Sequence, residues 1–479
     1  MFPKPRLLCM ERDDLVLQER NTAAEKWLQT ARSKQVYSAV RDLVLEHKHG
    51  QPKRVYPVVK GGYNIVYRVE YMDGTSVVMR VPIKGLVPFP DEKVRYEVAT
   101  IRYVAANTTI PVPRVYGHGN AAENPTGLGP FIIMDWIEHD TNMSRALLDT
   151  KRPADWRPIL DPDIDQDRLE FLYRQMANIL LQLSTLTLPR IGSLVEDGED
   201  VAVGGRPLTM NMADIIADTN APASVLPHTA TKTESWYSAL ADMHMAQLVF
   251  QHNDAVDDED DARDKYVARQ LFRNLTAEGW LSPPDDNIAS QRFRLVCEDL
   301  RPANVLLDKD LRVVGVIDWE FAYAAPEQFS CDPPWWLLLE VPEDWPGGLV
   351  SWMKAYEPRL RTFLGVLEVE EKARGLLARG DDEQQLSQRM RASWESGLWM
   401  VNYAARKSWV FDLIWWKFLD QSYFGLNETK DYRSRLDLLT EPQRKAMEGF
   451  VARKMKEKGD QKLVKWEESS IGRLAEVLV

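Results

Sequence analysis

Cysteine is almost missing from this chain: Cys9, Cys297 and Cys331 are the only three among 479 residues. So odd and scattered a set builds no disulfide framework, and no Cys-x-x-Cys pair marks a zinc site. Long apolar runs are lacking as well, since no stretch approaches the roughly 20 uninterrupted apolar residues that cross a bilayer. Met1 to Asp14 already carry Lys4, Arg6, Glu11, Arg12, Asp13 and Asp14, which is not a secretory signal. Positive charge is in the minority: 60 Lys and Arg against 72 Asp and Glu leave a net −12. General nucleic-acid binding needs the opposite balance. The expectation is a cytosolic protein with reduced thiols that engages neither nucleic acid nor membrane. Its oligomeric state is left open.

What is present is ordinary globular material, 44% hydrophobic and long enough for two or three domain-sized units. Residues 13–48 are charged and helical in period, with Leu15, Trp27, Leu28, Val36, Val40 and Leu43 recurring on one face. From Tyr56 the period changes to that of a strand, interrupted at Gly61-Gly62. Met72-Asp73-Gly74-Thr75 predicts a hairpin turn, because Asp-Gly supplies the positive φ of tight hairpins. Ser76 to Val81 returns as a β-branched strand ended by Pro82. A helix follows over 91–106, with Val94, Val98, Ile101 and Ala105 as its apolar stripe, and Phe131 to Met134 reads as another strand. Beyond 140 the chain is mainly helical, notably near 166–186, 233–251 and 386–425, around one β region at 292–318. Asp254 to Asp261 reads as a solvated acidic loop or helix start.

The segment that carries chemistry is Cys297-Glu298-Asp299-Leu300-Arg301-Pro302-Ala303-Asn304-Val305-Leu306-Leu307, followed by Val313-Val314-Gly315-Val316-Ile317-Asp318-Trp319-Glu320. Two β-rich runs flank a turn at Asp308-Lys309-Asp310. Pairing them brings Asn304 and Asp318 to one end of a hairpin, with Asp299 just upstream. Three oxygen-bearing side chains then converge. Phosphoryl transfer needs that set: one carboxylate to orient a hydroxyl, and hard oxygen ligands for Mg²⁺.

Here the sequence resembles the aminoglycoside phosphotransferase/choline kinase family, in particular its uncharacterised fungal branch. The resemblance also takes in the Gly-rich strand pair, the 91–106 helix, Phe131 to Ile137, and Ser330-Cys331-Asp332-Pro333-Pro334-Trp335-Trp336. It implies an α+β, bilobal, protein-kinase-like fold: a helical extension over 1–50, a small β-rich nucleotide-binding lobe with one helix over 51–137, and a larger helical lobe over 138–479. It implies an enzyme that uses ATP and Mg²⁺ to phosphorylate a small-molecule hydroxyl. Asp299 would be the catalytic base, and Asn304 and Asp318 would hold the metal. Gly61 and Gly62 would let the backbone approach the phosphates. Arg80 stands where such kinases usually carry lysine, and its expected partner is Glu97. The helical period puts Glu97 on the buried stripe, where an unpaired carboxylate is costly. Asp135 and Ile137 would offer peptide groups to adenine, with Met134 behind the base.

Two departures from the family pattern stand out. Cys297 replaces the usual histidine before the catalytic aspartate, and Arg80 replaces lysine. They keep two alternatives open: a catalytically weak, pseudokinase-like nucleotide binder, and a kinase fold that uses ATP to activate a carboxylate in secondary metabolism. Acidic residues in the helical part favour an amine-bearing acceptor. The tryptophans read first as helix-packing core, with an aromatic box for a cationic amine as the sharper possibility.

Overall fold

Residues 64–71 alternate between buried and partly buried positions, the period-2 mark of a strand with two different faces. In the computed structural model, which describes residues 11–153, 157–281, 292–374, 385–428 and 431–479, those faces serve two separate cores. Helices α1 (Asp14–Ala31) and α2 (Lys34–His47) precede β1 (Pro52–Val55), β2 (Val59–Lys60), β3 (Asn64–Tyr71) and β4 (Ser76–Pro82). Then come α3 (Pro90–Asn107), β5 (Val115–Gly119) and β6 (Phe131–Asp135). The sheet order is β1-β3-β4-β6-β5, with β2 paired to β3 and every pairing antiparallel. Gly74, with φ +87°, makes the expected turn between β3 and β4.

One face of this sheet packs Ile65, Tyr67, Val69, Val77 and Met79 against Leu28, Val36, Val40 and Val44 of the first two helices. The other face turns Val78, Ile132 and Met134 towards Val94, Val98 and Ile101 of α3. The adjacent residues Val77 and Val78 thus belong to opposite cores. A one-residue slip in register would exchange the two faces.

The second lobe is largely helical. It runs through β7 (Thr141–Asn142), α4 (Met143–Leu147), α5 (Gln166–Ser184), β8 (Thr187–Leu188), β9 (Ser193–Asp197) and β10 (Asp200–Gly205) to α6 (Met210–Thr219), α7 (Thr233–Phe250) and α8 (Glu259–Ala277). The β region then supplies β11 (Phe293–Cys297), β12 (Val305–Leu307), β13 (Val313–Val316) and β14 (Ala322–Pro326). Strand β12 lies between β13 and β7, while β11 lies between β14 and β8, so the segment 298–304 links two small sheets. Helices α9 (Glu327–Ser330), α10 (Gly348–Ala373), α11 (Leu386–Ser396) and α12 (Leu398–Ala405) follow. This is an α+β, bilobal, protein-kinase-like fold.

The structure refines several local expectations. The block at 386–425 breaks at Gly397, whose φ of +78° ends α11 and starts α12. The acidic run opens α8, with the Asp258 side chain accepting from the Asp261 N–H as its cap. In the C-terminal helix Glu441–Asp460, the Lys454 ammonium is buried against the Gln251 carbonyl and Glu457, each at 2.6 Å. Trp336, Trp352, Trp399, Trp415 and Trp416 are buried in the helical core. Trp335 and Trp409 line the interlobe cleft.

Candidate active site

The hairpin β12–β13 fixes the geometry of the site. Its register pairs Val305 with Val316 and Leu306 with Gly315, and the Ile317 N–H donates to the Asn304 carbonyl at 3.0 Å. Asn304 and Asp318 therefore leave the same end of the hairpin. Both N–H bonds recorded for the Asn304 amide go to Asp299, at 2.8 Å to its carbonyl and 2.9 Å to Oδ2. Arg301 Nε donates to Asp299 Oδ1 at 2.8 Å. Asp318 sits in the left-handed region with φ +62°, a conformation aspartate tolerates and which functional segments often retain. The Cys297 Sγ–H points at the Asp318 carbonyl at 3.8 Å, so the residue in the histidine position supports the Asp318 backbone. Burial pushes this thiol far above its usual range, which removes it as a nucleophile.

Opposite this loop lies the inner wall of the N-lobe. Arg80 on β4 is ion-paired to Glu97 on α3 and also to Asp318, with Glu320 at 3.4 Å. Arg80 and Glu97 are both buried. Sequence reasoning missed a second buried cation, Lys93. Its ammonium pairs with Glu320 and donates to Asn64 Oδ1 at 2.8 Å, while Asn64 Nδ2 donates to Glu320 at 2.8 Å. Glu320 thereby ties the hairpin after Gly61-Gly62, helix α3 and the Asp318 segment into one network. Burial works against the charge on Glu320, yet Lys93 and Arg80 hold its carboxyl below the ordinary value. Lys93 was overlooked because it falls in the first turn of its helix, where a lysine normally faces water.

These groups line a cleft of about 920 Å³ between the lobes. Gly61 and Gly62 form its upper lip, and a Cβ on Gly62 would meet nothing within 4 Å. Behind the lip is an apolar slot that the sequence did not foretell, with Val66, Val78 and Met134 above and Leu306 and Ile317 below. Asp135 and Ile137 lie along its edge. The Asp135 N–H donates to the Arg114 carbonyl at 3.0 Å, and the Ile137 carbonyl meets His139 Nδ1 at 2.8 Å. Burial raises the carboxyl of Asp299 above its ordinary value, with Arg301 and Asn304 acting in the opposite direction.

The structure thus brings Gly61, Gly62, Arg80, Met134, Asp135, Ile137, Asp299 and Asp318 around one cleft. Glu97 and Asn304 stand directly behind it through Arg80 and Asp299. A two-lobed fold with this cleft defines a kinase-like phosphotransferase. The chain belongs to the phosphotransferase enzyme family, whose model matches residues 55–329. A curated relative from Clavispora lusitaniae, "Altered inheritance of mitochondria protein 9, mitochondrial", is 26% identical over 144 residues, 30% of this chain and 22% of that protein. An Aspergillus fumigatus "Subtelomeric hrmA-associated cluster protein" is 26% identical over 139 residues, 29% of this chain and 24% of that one. The alignment spans less than a quarter of either relative's length. Among solved structures, a Plasmodium vivax ethanolamine kinase is similar at 10% identity and TM-score 0.37, covering 88% of this chain and 85% of the other. The expectation of a cytosolic protein is corrected by the relatives, several of which are named as mitochondrial.

Proposed function

We propose that this protein transfers the γ-phosphoryl group of ATP to a hydroxyl of a small molecule, with Asp299 as the base. One observation carries the reading: Asn304 spends its amide N–H groups on Asp299, which leaves the amide oxygen, with the Asp318 carboxylate, as hard donors beside that base. That pair suits Mg²⁺, which is commonly held by one or two protein oxygens and completed by phosphates and water. Bound there, the ion would neutralise charge on the transferring phosphoryl group.

The protein's own residues do the rest. Asp299, fixed by Arg301 and Asn304, accepts the proton of the incoming hydroxyl and aims its oxygen. Arg80, anchored by Glu97, presents a planar fork to phosphate oxygens. The apolar slot between Val78 and Ile317 takes the adenine ring, and the Asp135 carbonyl and Ile137 N–H read its edge. The mitochondrial naming of the relatives favours a mitochondrial setting. The test is transfer of radiolabelled γ-phosphate into a metabolite extract by the wild type and by Asp299→Ala. Label should enter a metabolite only with the wild type, and equal transfer by both proteins would remove the mechanism.

A further inference from the structure

Segment 11–13, outside the family match that begins at residue 55, docks on the helical lobe and brings Arg12 to the cleft. Asp13 is buried; it caps α1 and accepts from the Asn253 N–H and side-chain amide, each at 3.0 Å. That clamp fixes the neighbouring Arg12. Its guanidinium lies over the Trp409 ring at 4.7 Å, donates to Asp214 at 2.9 Å and pairs with Asp218. Arg12, Asp214 and Trp409 all line the same cleft as Asp299.

Three further ion pairs line the same cleft. Arg157 pairs with Asp344, Lys407 donates to Glu343 at 2.8 Å, and Arg301 holds Asp299. In each pair the cation is the more exposed partner. The side chains of Arg157, Arg301, Arg12 and Lys407 are 64%, 44%, 39% and 35% exposed, against 37%, 17%, 25% and 13% for Asp344, Asp299, Asp214 and Glu343. A guanidinium carries five N–H donors, and Arg12 uses two of them on its aspartates. The wall therefore offers spare donors beside carboxylates that already hold cations; Glu298, which also lines the cleft, instead accepts from the Met210 N–H and the Tyr323 O–H. An oxyanion has only acceptors and can take those donors.

We propose that the acceptor carries an anionic oxyacid group, carboxylate or phosphate, next to its reacting hydroxyl, and that Arg12, delivered by the N-terminal segment, binds that group together with Arg301, Arg157 and Lys407. This deepens the phosphoryl-transfer reading and depends on it for the acceptor's role. It replaces the amine-bearing acceptor expected from acidic composition, because Asp214, Asp299, Glu343 and Asp344 each anchor a cation of this wall.

The test is calorimetric titration of the full chain, with and without Mg²⁺ and AMP-PNP, using 3-phosphoglycerate, glycerate, glycerol and ethanolamine as probes. The two anions should bind ahead of glycerol and ethanolamine, and their ranking separates phosphate from carboxylate. Arg12→Gln and Arg301→Gln should each weaken the anions about tenfold, as expected for one lost charged hydrogen bond. AMP-PNP affinity should not change in Arg12→Gln, and the surface control Arg361→Gln should bind like the wild type. Preferential ethanolamine binding, no anion binding, or equal anion affinity in Arg12→Gln would overturn the proposal. Failure of AMP-PNP to bind a protein that still takes the anions would instead sink the nucleotide reading.

Discussion

The Asn304 amide donates to the Asp299 carboxylate across 2.9 Å, and the same amide also holds the Asp299 carbonyl. A carboxylate tethered at both backbone and side chain is pre-aimed for the proton transfer proposed for it. It also titrates late, because burial raises its carboxyl. Asp299 must be ionised to accept a proton, so kcat/KM should rise with pH through its elevated pKa. The acid limb should lie above the ordinary aspartate value of about 4. A pH–rate profile checks this, with Asp299→Asn expected to lose about a hundredfold or more in rate, and the limb with it.

Arg80 makes the corresponding prediction for stability. Its guanidinium lies between the buried Glu97 and Glu320, with Asp318 on the cleft side. Arg80→Ala leaves buried carboxylates uncompensated and should cost about 3–5 kcal/mol in urea unfolding. Arg80→Lys keeps the charge and should lose much less stability, while weakening nucleotide binding through loss of the planar fork.

Lys93 acts one layer further back. Lys93→Met removes the ammonium from Glu320 and Asn64, which loosens the hairpin that follows Gly61-Gly62. We expect a loss of about 3 kcal/mol and a rise in KM for ATP larger than any change in kcat. Steady-state kinetics alongside denaturant titration tests both.

Asp332, in the segment that resembles the family downstream of the hairpin, holds Arg406 at 2.7 Å and Asn402 at 2.8 Å. Both charged partners are largely buried. Asp332→Ala should therefore destabilise the helical lobe by about 3 kcal/mol, read by urea unfolding, with nucleotide affinity preserved in the folded fraction.

How much of this was legible in the sequence depended on how local the geometry is. Asn304 and Asp318 sit at one end of a hairpin and Asp299 just upstream of it, and the β-branched runs and central turn announce the convergence. Glu97 was legible because a 3.6-residue period put a carboxylate on an apolar stripe, where a partner was needed. Lys93 was not, since nothing near it signals that Glu320 will arrive from the other lobe. Arg12 was hidden for the same reason: its place follows from Asp13 docking on Asn253, a contact between distant segments. Helical spacing marked the tryptophans as buried, but only packing shows that Trp409 turns to the cleft. Placement of the protein in the cell came from neither fold nor pattern; the names of the relatives corrected it.

The central claim is that Asp318 and Asn304 make a metal–nucleotide site beneath the Gly61-Gly62 lip. Thermal unfolding of the full chain with ATP, with and without Mg²⁺, tests it most directly. The account predicts stabilisation approaching about 2.7 kcal/mol at a hundredfold excess over Kd, dependent on Mg²⁺ and lost in Asp318→Ala. A wild-type protein whose unfolding does not respond to ATP and Mg²⁺, or an Asp318→Ala protein that responds equally, would contradict it.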